Sequence, residues 1–146
     1  MRKTICGILI AATTILTTMS LASCDIETSS AAGDFNGMWH LTRVDTIATG
    51  GVLDLKKEKI YWAFQYKLMQ ADDKNEKLAK ILMRFNQTNT QLTLHTPYVY
   101  DRENGDVPLS DPTLLAPYGI NKLEENFQVI KLTGSKMVLQ SETLKL

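Results

Sequence analysis

The chain has 146 residues, 44% of them apolar and 22% charged, which is material for one domain with one hydrophobic core. With residues 1–23 taken as a cleaved leader, 14 basic side chains face 16 acidic ones, so the strongly basic surface that nucleic acid requires is excluded as a basis for function. Both cysteines, Cys6 and Cys24, belong to the leader region, and the folded part therefore has no thiol nucleophile, no disulfide and no cysteine metal site.

The first segment has the parts of a secretory signal: a basic tip at Arg2 and Lys3, an apolar stretch from Ile5 to Leu16, and small residues before a cut site. Leu21-Ala22-Ser23-Cys24 resembles the lipobox cleaved by lipoprotein signal peptidase, which implies that Cys24 becomes the lipid-modified first residue. Acyl chains buried at about 0.8 kcal/mol per methylene would hold such a protein on its membrane. Asp25 and Glu27 resemble the surface-export signal of some Gram-negative lipoproteins, and Thr28 to Gly33 is a small, polar stretch suited to a tether. The expected organisation is a signal peptide at 1–23, a lipidated tether at 24–34 and a folded domain at 35–146. The expected location is the outer membrane, facing the periplasm or the cell surface.

From Phe35 onward the apolar residues recur with period two, the pattern of half-buried strands. The clearest run is Ile60 to Met69, where Ile60, Trp62, Phe64, Tyr66 and Leu68 fall on one face. Ala71 to Leu78 is charged and reads as a hairpin connection. Lys80 to Asn86 and Gln91 to Thr96 read as an antiparallel pair around Gln87-Thr88-Asn89. Asn126 to Leu132 and Lys136 to Gln140 form a second pair around Thr133-Gly134-Ser135. Apolar residues occupy both faces between Phe127 and Leu132, which a bulge or two-sided burial would explain.

The segment from Tyr98 to Glu125 holds three of the four prolines and has weak periodicity. A connection that long normally contains its own element or serves a function. Asp111 as N-cap, Pro112 at the first helical position and Gly119 as terminator predict a short helix, with Leu114, Leu115 and Tyr118 lying on one opening of the domain.

Gly37-Met38-Trp39, at the head of the first strand, resembles the Gly-x-Trp signature of lipocalins. Lys131 to Leu139 is similar to the closing hairpin of small lipocalin-like lipoproteins of Gram-negative bacteria, a family of largely unassigned function. The resemblance implies an all-β, antiparallel, lipocalin-like up-and-down β-barrel over residues 35–146. Two departures stand out. The closing strand offers only Lys145 where the family places an arginine over the signature tryptophan. The alternation Leu144-Lys145-Leu146 is short where the family's last strand runs on, so an incompletely closed barrel is expected.

A barrel of this size is either filled by side chains or holds one small ligand. Trp62, Phe64, Tyr66 and Phe85 point inward on the strand pattern, and Tyr98, Tyr100 and Tyr118 sit on the loop over the mouth. These seven are the candidate ligand-binding residues for a small hydrophobic molecule, with Gly37 and Trp39 as fold signature. The alternative is a filled barrel acting as a structural or accessory subunit that docks to an envelope protein through its exposed edges. His40 and His95 have no partner at ligand spacing, and Asp101, Glu103, Asp106 and Asp111 do not match a calcium loop. No enzyme activity, metal or cofactor is therefore expected, and the partners are the membrane through Cys24, a small hydrophobic ligand, or an envelope protein.

Overall fold

The computed structural model describes residues 31–146, so the leader, Cys24 and most of the tether lie outside the described residues. Eleven strands form one antiparallel sheet: β1 (Gly37–His40), β2 (Arg43–Thr46), β3 (Val52–Asp54), β4 (Ile60–Gln65), β5 (Leu68–Asp73), β6 (Ile81–Gln87), β7 (Gln91–Val99), β8 (Val107–Pro108), β9 (Glu125–Leu132), β10 (Met137–Gln140) and β11 (Leu144–Lys145). Their order is β1-β4-β5-β6-β7-β9-β10-β11-β2-β3, with β8 on β7. The sheet curls back onto its own first strand. β1 and β2 are one chain bent at Leu41-Thr42, where Leu41 N–H donates to the Ile60 carbonyl and the Thr42 carbonyl accepts from Leu55 N–H, both at 2.9 Å. Below the bend this strand pairs with β4; above it, it pairs with β3 and, on its other side, with β11. The result is an all-antiparallel, curled sheet, as the alternation implied, with the lipocalin-like form that the Gly37-Met38-Trp39 resemblance implied.

The inward faces of the strands make one core. Trp62, Phe64, Met69, Ile81, Met83, Phe85, Leu92, Leu94 and Phe127 are all buried within it. Four of its rings interlock: Phe64 lies 5.2 Å from Phe85 and 6.3 Å from Trp62, and Trp62 lies 5.7 Å edge-on to Phe127. At the lower end, where the β4–β5, β6–β7 and β9–β10 turns lie, the 3-10 turn Gly33–Phe35 pushes Phe35 against Phe64 at 5.5 Å. At the upper end Leu115, Tyr118 and Ile120 are fully buried.

Several expectations are corrected. The run Ile60 to Met69 is not one strand but the β4–β5 hairpin, closed by Tyr66-Lys67. Tyr66 takes a left-handed backbone (φ 54°) and is 63% exposed, so it does not enter the interior. The turn changes which parity faces inward: Ile60, Trp62 and Phe64 before it, Met69 and Ala71 after it, with Leu68 turned out. Apolar residues on both parities hid the change, and no glycine or asparagine marked the turn. The connection expected at 71–78 also begins too early. Ala71, Asp72 and Asp73 are buried ends of β5, and the two carboxylates are tied down locally: Asp73 accepts from Asn75 N–H and Lys77 N–H at 2.9 and 3.1 Å, and Asp72 pairs with Lys74. Between β9 and β10 the register shifts so that Ile130 is the extra residue, 49% exposed; of the two explanations for the mixed face, a bulge is the one present.

The expected helix in the long loop is present as two consecutive 3-10 turns, Pro112–Leu114 and Ala116–Tyr118. Asp111 caps the first through Thr113 N–H at 2.8 Å, and Gly119 ends the second in the left-handed region at φ 76°. The loop seats itself by two long-range bonds: Trp62 Nε1 donates to the Tyr118 carbonyl at 3.1 Å, and the Tyr118 hydroxyl donates to the Ala79 carbonyl at 2.8 Å. Leu114 does not join the lid; it is 46% exposed on the outer side.

Candidate functional site

β11 is only two residues long and covers only the upper part of the line on which β10 would meet the first strand. Its last contact is the reciprocal pair between Leu146 and Leu139, with N–H···O distances of 2.8 and 3.1 Å. Below that pair, β10 has β9 alone beside it and β1 has β4 alone. The two edges face each other across a lateral cleft of about 560 Å³, within the size range of small-molecule pockets.

The floor of this seam is apolar, made by Trp39, Leu41, Trp62, Met137, Leu139 and Leu146. Trp39 lies in register with Trp62 on the paired strands, and its Nε1 is satisfied by the Phe35 carbonyl at 2.8 Å, which holds the indole half-buried along the seam. Gly37 opens the strand at φ 121°, a conformation that glycine adopts readily. The rim carries His40, Arg43 and Lys136, and no carboxylate side chain lines the cleft. Arg43 reaches away to Asp45 at 2.6 Å, a bond that raises the guanidinium's pKa, and His40 stacks on Tyr61 at 4.9 Å while contacting the Glu58 carbonyl. Among the described residues, no cation stacks on Trp39, consistent with the missing arginine noted in the sequence; the stacked pair found is Lys80 over Tyr100 at 5.0 Å.

The edges bordering the seam carry free peptide groups. Leu41 N–H bonds to β4, so alternation along the ladder turns the N–H and C=O of Met38 and His40 away from β4 and into the seam. On the opposite side Leu139 bonds toward β11, and the same alternation aims the peptide groups of Met137 into the seam.

The expected ligand-binding residues do not converge. Trp62 lines the seam; Phe64 and Phe85 are packed core; Tyr66 lies on the lower turn. Val99 packs against the core, so its neighbour Tyr98 faces outward beside Leu82, and Tyr100 is held under Lys80, both away from the seam. Tyr118 is buried in the lid, and burial, with Asp73 and Asp72 adding, pushes its hydroxyl's pKa well above the ordinary tyrosine value. Among the described residues these rings therefore line no common opening. Met137, Leu139, Leu146, Arg43 and Lys136 were missed; the only sequence signal for them was the short final alternation at Leu144 to Leu146.

The histidines are far apart in the sheet, His40 on β1 and His95 on β7, the latter bonded to Asn86 and Thr96 at 3.2 and 2.8 Å. Among the described residues, no group of three His, Cys, Asp or Glu could hold a metal ion. Asp101 and Asp111 serve their own turns. Bonds from Asn104 and Glu103 to the first, and from Thr113 to the second, hold both carboxyls below the usual range.

A family model described as a lipocalin-like domain matches residues 18–146. A crystal structure of a lipocalin-like protein from Bacteroides uniformis ATCC 8492 is similar, with 18% identity and a TM-score of 0.57 over 77% of this chain and 94% of that one. An uncharacterized protein from Bacteroides eggerthii DSM 20697 aligns at 16% identity and a TM-score of 0.49, over 75% and 93%. No curated protein matches the chain.

Proposed function

The chain belongs to the lipocalin-like domain family, and on that premise we propose that it is a non-catalytic binding protein, held at the outer membrane through Cys24, whose receiving surface is the lateral seam. The observation that carries this is the contrast between an interior packed with Phe64, Phe85, Phe127 and Tyr118 and a seam whose floor is apolar and open to the side. A small hydrophobic guest in the barrel interior would have to displace fully packed rings, each worth about 3–5 kcal/mol of core packing. The seam takes an apolar group without that cost, so the reading of the domain as an accessory unit docking through exposed edges gains over the carrier reading.

The test is to titrate the mature protein with apolar and polypeptide probes while following side-chain NMR signals. Shifts confined to Trp39, Trp62, Met137 and Leu139 are the expected result. Shifts centred on Phe64, Phe85 and Phe127 would restore the interior carrier, and silence at both places would sink the binding reading. Anchoring is tested separately by Cys24→Ser, expected to move the protein from the membrane fraction to the soluble one.

A further inference from the structure

We infer that the lower end of the curled sheet is a membrane face, which rests on an anionic phospholipid surface and holds the lid and the long loop away from it. This rests on the chain being anchored through Cys24 and is independent of the seam. Two groups of side chains make the face. On one side of the base the β4–β5 turn presents Tyr66, Lys67 and Leu68, with Arg84 on β6 in register with Leu68. Across the base, the bulged end of β9 presents Ile130 and Lys131. All six are exposed, Tyr66 at 63%, Ile130 at 49% and Leu68 at 44%, and none of them lines the seam.

Core packing does not account for this combination. The inward neighbours do the packing, Met69 beside Leu68 and Val129 beside Ile130, while Leu68 and Ile130 themselves face out. A single exposed aliphatic is ordinary. Large apolar side chains interleaved with cations on one rim suit a lipid surface: the apolar chains enter the headgroup region and the cations meet the phosphates. Charge is distributed to match. Among the described residues Asp34 is the one carboxylate at this end, and the others stand higher, many of them in the β5–β6 connection and the long loop. The ion pairs among the described residues, Arg43 with Asp45, Lys74 with Asp72 and Lys122 with Glu142, use none of Lys67, Arg84 and Lys131.

The chain enters at the same end. Gly33 lies against the Gln87 side chain at the foot of β6, and β6 stands between β5 and β9 in the sheet, so the path from Cys24 arrives between the two groups. Nine residues separate Cys24 from Gly33, a reach of at most roughly 31 Å fully extended. Strand β7, also nine residues, is itself roughly 30 Å long. At the opposite end the β2–β3 turn exposes Ile47, Val52 and Leu53. That turn would meet the bilayer only with the segment after Cys24 drawn nearly straight along the wall, whereas the base meets it at any extension. The same turn is flanked by Asp45 and Asp54, which an anionic surface repels.

The experiment has two arms. In the first, Cys24→Ser protein, which cannot be acylated, is sedimented with vesicles of phosphatidylglycerol and phosphatidylethanolamine, and separately with vesicles of phosphatidylcholine. Binding to the anionic vesicles is expected, at least about tenfold tighter than to phosphatidylcholine and lost at high salt. Lys67→Glu, Arg84→Glu and Lys131→Glu together are expected to weaken it at least about tenfold, and Leu68→Ser with Ile130→Ser severalfold. The NMR signals of the buried Trp62 and Phe127 rings check that each variant is folded. Equal binding to the two kinds of vesicle, binding to neither, or no loss in the triple variant overturns the proposal. In the second arm, the acylated protein is placed in nanodiscs of the anionic lipids doped with a nitroxide-labelled lipid. The methyl signals of Leu68 and Ile130 are expected to broaden more than those of Ile47 and Leu114, and the triple variant should lose the difference while its acyl chains keep it on the disc. Broadening centred on Ile47, or equal at both ends, overturns the membrane face while leaving the anchor in place. A wild-type protein found without acyl chains removes the anchoring reading, and the first arm then decides the membrane face by itself.

Discussion

The wall built from β4, β5, β6 and β7 and the seam between β1 and β10 use the same kinds of residue to opposite ends. In the wall every strand has a neighbour on each side, and each inward ring meets another ring or the lid. At the seam two tryptophans, three leucines and a methionine stand beside a gap, because β11 between β10 and β2 is two residues long. The difference shows at Trp39 and Met137, which are only half-buried beside the gap while the rings of the wall are buried.

That comparison breaks most easily at Phe64. Phe64→Ala removes a ring touching Phe35, Trp62 and Phe85 and is expected to cost about 3–5 kcal/mol in urea unfolding. The half-buried seam residue Met137, changed to Ala, is expected to lose only about 1 kcal/mol. Near-equal losses would mean that the seam is packed as tightly as the wall.

Gly119→Ala probes the join between lid and seam. The residue's φ of 76° disfavours a side chain by about 1–2 kcal/mol, and an added Cβ would stand 2.6 Å from Leu146 Cδ2. Because the Leu146 side chain is flexible, it should yield, and its methyl NMR signals should shift along with those of Met137. A stable variant with an undisturbed Leu146 would uncouple the two regions.

Tyr118→Phe removes the bond to the Ala79 carbonyl and is expected to cost about 1 kcal/mol at neutral pH. It should also change the alkaline behaviour. An unfolded tyrosine ionises near pH 10.0, the ordinary value, and burial raises the folded value. The folded state therefore retains a proton that the unfolded state releases, so stability is full below pH 10 and falls as pH rises above it. The variant should show a shallower alkaline decline; parallel curves would mean that the lid is open in solution.

The smallest perturbation is hydrogen exchange without mutation. The amides of Met38, His40 and Met137 should exchange orders of magnitude faster than those of paired wall residues such as Leu94. Uniform protection would close the seam.

Much of this fold was legible beforehand. Alternation identified β6, β7 and β10 to within a few residues, the Thr133-Gly134-Ser135 turn placed β9 before it, and the Asp111-Pro112 to Gly119 spacing marked the lid, because caps and turns are local chemistry. The β4–β5 turn was invisible because Tyr66 occupies a left-handed position with no glycine or asparagine to announce it. The candidate rings failed as a set for a different reason. Tyr98 and Tyr100 share a loop with Tyr118 in sequence, but a bulge at Thr96, itself left-handed at φ 52°, rotates the strand and turns Tyr98 away.

Sequence alone determined the class of structure: antiparallel strands, Gly37 and Trp39 at the head of the first, and the lid. Those properties follow from side-chain period and capping chemistry, both of which are local. Only the tertiary structure decided that the lumen is full and that the opening lies at the side, between residues nearly a hundred positions apart, Met38 and Met137. The curl of the sheet and the register of each ladder bring those edges together, and both are sums over many pairings that no single segment specifies.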